Sequence, residues 1–291
     1  MRNAKGSRHC ENETIASCNW AVPSDGADRL CLSCSLTTTR PADEDLRTGI
    51  GMQFAEAEMG KRRLIFQLLA LGLDLSGLSF DLLASGAQRV STGHENGRVT
   101  INLEEANESY RAKLQAELSE PYRTVLGHLR HEVGHFFQDK LLPSEPEWER
   151  CRGLFGDDRA DYAAALKEHY DAKAPTTDWQ TDYVSRYATA HPWEDWAETF
   201  AHVLHILDTT ETAASFGLRS ELALPADPTQ ALAADTMDDV LAQWRPLSAV
   251  LNAVNRSMGR PDLYPFVITQ QVAHKLGYVH ERILTTTRSE S

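Results

Sequence analysis

Long apolar runs, surplus basic charge and dispersed cysteines are all missing from this chain of 291 residues. Its most apolar stretch, Leu64 to Leu75, is broken by Gln67 and Asp74. That falls well short of the ~20 apolar residues that cross a bilayer. Met1 to Asn12 is polar and has no apolar core of the kind a secretory signal needs. The expectation is a cytoplasmic chain with no membrane association. Lys and Arg number 29 against 42 Asp and Glu, for a net charge of -13. Such an acidic balance repels phosphate backbones, so no nucleic acid is expected as a partner. Of five cysteines, Cys10, Cys18, Cys31 and Cys34 crowd the amino end and Cys151 stands alone. This clustering favours a metal site over a disulfide framework.

What is present reads as an α+β chain, mostly helical with a small mixed or antiparallel sheet. Composition changes near residue 40, at Thr37 to Thr39 and Pro41-Ala42-Asp43-Glu44-Asp45. The break divides the chain into a cysteine module over 1–40, a larger domain over 41–285 and a tail over 286–291. Ile50, Phe54, Leu64, Leu68 and Leu71 have helical spacing, ending near Gly72. Leu78 to Leu83 and Arg98 to Leu103 read as strands, the second after an Asn96-Gly97 turn and placed at a sheet edge. Further helices are predicted over Ser119 to Leu142, Asp158 to Tyr170, Thr181 to Thr189, Pro192 to Leu207, Thr236 to Met258 and Thr269 to Leu284.

The sharpest local signal is His131-Glu132-Val133-Gly134-His135. Four residues turn a helix by about 400°, which returns both imidazoles to one face, where each can bind one zinc ion. Glu132, about 100° round the helix, is placed as a base toward the metal's water position. Tyr122, Val125, Leu126, Leu129, Val133, Phe136 and Phe137 form a separate apolar stripe, so core and site occupy different faces. His128 lies a turn earlier and reads as a partly exposed histidine.

Zinc hydrolases take a third protein ligand and leave one position open. His191-Pro192-Trp193-Glu194-Asp195-Trp196-Ala197-Glu198 offers the best donor. Projected as a helix, Trp193, Trp196, Phe200, Val203, Leu204 and Leu207 face a core beside a strip of Glu194, Glu198 and His205. Glu194 is the favoured ligand, with Glu198, Asp158 and Asp161 as alternatives. The last two lie in a run that also suits a helix cap or supporting hydrogen bonds.

Cys10, Cys18 and Cys31-Leu32-Ser33-Cys34 supply four thiolates for a structural zinc site. Such an ion contributes ~10 to 16 kcal/mol of apparent binding free energy in finger peptides, enough to fold a segment with little core of its own. Free thiols or a redox pair are the alternatives. Residues 1–40 carry five Lys and Arg against four Asp and Glu, too even a balance for a phosphate-binding footprint. A stabilising or protein-contact role suits this module better.

The chain resembles bacterial zinc-binding metallopeptidases that join a zinc-ribbon-like amino terminus to an HExxH domain. The resemblance runs through Cys18 to Pro23, Lys61 to Leu64, Thr92 to His94, Pro121 to Arg123, Arg130 to His135, Leu154 to Asp157 and Pro192 to His202. It implies a zinc ribbon at the amino end and peptidase activity. Members often carry a further CxxC pair ahead of these segments, which this sequence lacks, so a shortened amino end is expected. A looser resemblance, to lethal-factor-type gluzincin proteases, covers the zinc helix and the Glu-x-x-x-Glu helix. It implies Glu194 as the zinc ligand and Tyr187, seven residues earlier, as a tyrosine facing the metal.

The resulting expectation is a zincin-like metallopeptidase. One catalytic Zn²⁺ is assigned to His131, His135 and Glu194, and one structural Zn²⁺ to Cys10, Cys18, Cys31 and Cys34. Glu132 serves as base and acid, Tyr187 as an oxyanion donor, and the substrate is a peptide or protein. The strand Arg98 to Leu103 is expected to pair with an extended substrate. The alternative is a non-catalytic, zinc-stabilised protein-interaction module.

Overall fold

The computed structural model describes residues 6–85, 90–107, 124–171, 178–218 and 236–289. The predicted helix start at Ser119 and Pro121, Tyr122 of the apolar stripe and the Pro121 to Arg123 segment lie outside these residues. The chain divides into two compact units, residues 1–70 with 74–136 and residues 71–73 with 137–291.

The first unit opens with an antiparallel pair, β1 (Ser7–His9) and β2 (Ala21–Pro23). A one-turn helix α1 (Leu32–Ser35) leads into β3 (Thr37–Thr39), and α2 (Asp43–Thr48) precedes the long α3 (Gly51–Ala70). Phe54, Leu64 and Leu68 of α3 are fully buried, as their spacing predicts, and Ile65 joins them. A mixed sheet follows from β4 (Ser79–Leu83), β5 (Gly93–Glu95) and β6 (Arg98–Asn102), in the order β3-β4-β6-β5. Phe80 and Leu82 of β4 stand beside Val99 and Ile101 of β6, and all four are buried. The Asn96-Gly97 turn needs positive φ at both residues, 49° and 79°. A Cβ at Gly97 would lie 2.3 Å from the Gly77 carbonyl oxygen, so glycine is required there twice over.

The sheet corrects one expectation. Arg98 to Leu103 does not form an edge strand: β6 pairs parallel with β4 on one side and antiparallel with β5 on the other. Both rows of its backbone groups are therefore engaged. Among the described residues, the edges of this sheet are β3 and β5. The three-residue β5 is too short to show a period in the sequence.

Helix α4 (Val125–Leu141) begins in the first unit and ends in the second. The second unit continues with α5 (Glu145–Phe155), α6 (Tyr162–Asp171), α7 (Pro192–Ser215), α8 (Met237–Ser257) and α9 (Gln270–Ser289). Its core is aromatic. Phe137 stacks on Phe200 at 5.7 Å, and Trp196 meets Phe155 at 5.7 Å and Tyr278 at 6.3 Å. Of the core face predicted for α7, every residue but the part-exposed Trp193 is buried.

Several boundaries differ from the sequence reading: α6 begins at Tyr162 and not at Asp158, and α7 runs on to Ser215 beyond the expected Leu207. Helix α5 went unrecognised, although Ser144 before it and Pro146 within its first turn are start signals. Thr181 to Thr189 is not one helix but lies across two short 3-10 turns, Trp179–Thr181 and Tyr187–Thr189. Between them the Ser185 hydroxyl accepts from the Ala188 N–H at 3.1 Å, a local bond that competes with a regular helix. Helix α9 runs on to Ser289, and within its last turns the Thr285 and Thr287 hydroxyls donate to the carbonyls of Glu281 and Ile283, at 2.8 and 3.1 Å. No helix among the described residues is long and apolar enough to cross a membrane.

Candidate metal centres

In the first unit, β1 ends just before Cys10 and Cys18 precedes β2, while Cys31 caps α1 and Cys34 lies within it. All four thiols are buried, none is in a disulfide, and their sulfurs lie within 4.8 Å of one another. Thiolates about 2.3 Å from one tetrahedral zinc would stand roughly 3.8 Å apart. Cys18 Sγ and Cys31 Sγ are separated by 3.6 Å, so the donor set fits that ion. The Cys31 thiol is drawn down to about 5, chiefly by its hydrogen bond with Cys34, and Cys34 is correspondingly raised.

Helix α3 braces this cluster from the segment Lys61 to Leu64. Arg62 donates to the Ser17 carbonyl at 3.0 Å. Lys61, fully buried, pairs with the equally buried Glu58 at 2.8 Å and donates to the Thr37 hydroxyl. Burial lowers the Lys61 pKa, and Glu58 opposes that shift. The Thr37 hydroxyl bridges this pair out of solvent, accepting from Lys61 and donating to Glu58 Oε1 at 2.6 Å.

Helix α4 carries the imidazole pair. Val125, Leu129 and Val133 are buried along its apolar stripe, and Arg130 donates to Gln67 of α3 at 2.8 Å. On the other face His131 Nε2 and His135 Nε2 stand 3.2 Å apart, with their rings nearly perpendicular. Two nitrogens each 2.0 to 2.1 Å from one tetrahedral zinc would be separated by roughly 3.3 Å, so this pair fits too. Glu132 is half-buried between them in sequence. His94 of β5, which the sequence reading left without a role, lies nearly parallel to the His135 ring at 6.4 Å. Its Nε2 accepts from the Gly97 N–H at 3.0 Å, which fixes the ring. His128 pairs with Glu105, Nδ1 to Oε2 at 2.5 Å, and Glu105 also accepts from the Thr92 hydroxyl at 2.7 Å.

The predicted carboxylates lie in the second unit. His191 caps α7, and Glu194 and Asp195 fall in its first turn. Glu194 is 1% exposed and accepts from the Tyr162 hydroxyl at 2.6 Å. Asp195, wholly buried, meets the Lys275 ammonium at 2.6 Å. Burial pushes its carboxyl up to about 7 against the pull of Lys275. Sequence reasoning missed Tyr162, Asp195 and Lys275; the two tryptophans flanking Glu194 and Asp195 were the one sign that this acidic turn is buried.

The other predicted residues have partners of their own. Glu198 is half-buried and accepts from the Ser185 hydroxyl at 2.5 Å. Asp158 accepts from Arg152 at 2.8 Å, and Asp161 caps α6 by accepting from the Ala164 N–H at 3.0 Å. None of these three belongs to a group of potential metal ligands among the described residues. Tyr187 is half-buried, its ring edge-on to His169 at 6.1 Å. Burial pushes the Cys151 thiol up to about 12, which leaves it inert as a nucleophile.

Comparison with known proteins supports zinc binding by this chain. A family described as "Putative zinc-binding metallo-peptidase" matches residues 51–282, and a zinc-ribbon domain matches residues 1–45. Uncharacterized proteins of Mycobacterium bovis and Mycobacterium tuberculosis are 46% identical over 280 residues, which is 93% of this chain and 81% of each relative. No solved structure matches.

Proposed function

The chain belongs to the zinc-binding metallo-peptidase family, and we propose that it hydrolyses peptide bonds in a peptide or protein substrate. The observation that carries this reading is the 3.2 Å approach of the His131 and His135 Nε2 atoms on the HExxH helix. Glu194 completes the proposed ligand set; two imidazoles and a carboxylate, all buried, are the donor types of a hydrolytic zinc site. When bound, zinc lowers the pKa of water toward ~7 and polarises a carbonyl, which suits amide hydrolysis near neutral pH.

The chain's own residues supply the proton transfers. Glu132 takes the proton from the attacking water and passes it to the leaving amine, so it alternates between carboxylate and carboxylic acid. Tyr187 donates a hydrogen bond to the developing oxyanion. A second Zn²⁺ in the thiolate cluster holds the amino-terminal module, 1–40, beside a peptidase domain over 41–285. That module stabilises the chain or contacts a protein partner. Thiols outside any disulfide accord with work in the reducing cytoplasm.

The test is cleavage of unfolded protein substrates by the zinc-loaded chain, its loss on chelation and its return with added zinc. A chain that carries zinc and leaves diverse unfolded substrates intact would contradict the proposal and favour a protein-interaction role.

A further inference from the structure

The run Asp157 to Tyr162 offered carboxylates as candidate ligands, yet its aspartates are engaged with Arg152, Arg159 and the α6 cap. What the run delivers toward Glu194 is a phenol. Tyr162 opens α6, and its hydroxyl donates to Glu194 Oε1 at 2.6 Å. The ring is held on two sides, edge-on to His191 at 5.3 Å and to Trp193 at 5.4 Å.

His191 is itself fixed. Its Nδ1 accepts from the Trp193 N–H at 3.1 Å, so in the neutral ring the proton sits on Nε2, which faces the Ala160 carbonyl at 3.2 Å. One imidazole therefore ties the residues leading into Tyr162 to the start of α7, where Glu194 sits. Three interactions converge to set the direction of a single O–H.

We propose that Tyr162 is a positioning residue for the metal site: its phenol sets the plane of the Glu194 carboxylate and favours coordination through one oxygen. The chemistry is that of a hydrogen-bond donor behind a ligand, which fixes its orientation and tunes its charge. The proposal rests on Glu194 being a ligand, and the experiment separates the two claims.

Cobalt is loaded at the HExxH site with zinc kept in the thiolate cluster, and competition with a chelator gives the affinity. Measurements are taken well below each variant's unfolding midpoint. Tyr162→Phe keeps the ring between His191 and Trp193 and removes only the donor. It should weaken metal binding ten- to a hundred-fold and shift the cobalt visible spectrum, a signature that loss of stability alone would not move. Glu194→Ala should lose the site altogether. If Glu194→Ala loses the metal while Tyr162→Phe keeps wild-type affinity and spectrum, the positioning role is overturned. If Glu194→Ala keeps the metal with an unchanged spectrum, the ligand assignment falls.

Discussion

Lys275 of α9 reaches Asp195 of α7 at 2.6 Å, across 80 positions of sequence, and the same ammonium donates to the Asp182 carbonyl at 2.8 Å. It also lies 4.3 Å from the Tyr183 ring centre. This buried charge anchors the turn of α7 that carries Glu194. Removing one partner leaves the other buried without its counter-charge. Asp195→Leu or Lys275→Met should each cost about 3 to 5 kcal/mol, and the two combined considerably less than their sum. Urea unfolding of the four proteins measures the coupling; additive losses would show that the pair does not act as a unit.

The imidazole pair depends on helical phase. Moving the second histidine one position, with Gly134→His and His135→Ala together, turns that ring by about 100° while conserving composition. Zinc content by elemental analysis should fall from about two ions per chain to about one. Retention of two would mean that the spacing is not what holds the metal.

The thiolate cluster should act as a separate folding unit. Cys31→Ser should remove one zinc equivalent, expose the chain to trypsin at the exposed Arg29 and red-shift the emission of Trp20, which packs against the cysteines. The HExxH metal should remain, and its loss in the same variant would show that the two sites are coupled.

Tyr187→Phe isolates the proposed oxyanion donor. The expected outcome is a 10²- to 10³-fold drop in kcat with KM and zinc content unchanged, measured on a fluorogenic peptide once a cleaved sequence is known. An unaltered kcat would return Tyr187 to a packing role beside His169.

Signals confined to one turn or one knuckle were legible in the sequence. His131 and His135 meet because a four-residue step on a helix has one geometric outcome. The spacing of Cys31 and Cys34 likewise forces two thiols to one side of a short turn. Helices α3 and α7 could be drawn from apolar spacing alone. Relationships between distant segments were not legible. The parallel pairing of β4 with β6 skips over β5, so nothing local marks β6 as an interior strand. Lys275 has no acidic neighbour in α9 to betray its pairing with Asp195. Tyr162 follows four charged residues and read as part of a cap, whereas its hydroxyl serves a carboxylate 32 positions on.

The most direct measurement of the central claim compares Glu132→Gln with the wild type in a proteome-wide cleavage profile, both proteins carrying the same zinc content and unfolding at the same temperature. The account predicts new peptide termini with the wild type and none above background with Glu132→Gln. Equal cleavage by the two proteins, or none by either, would contradict it.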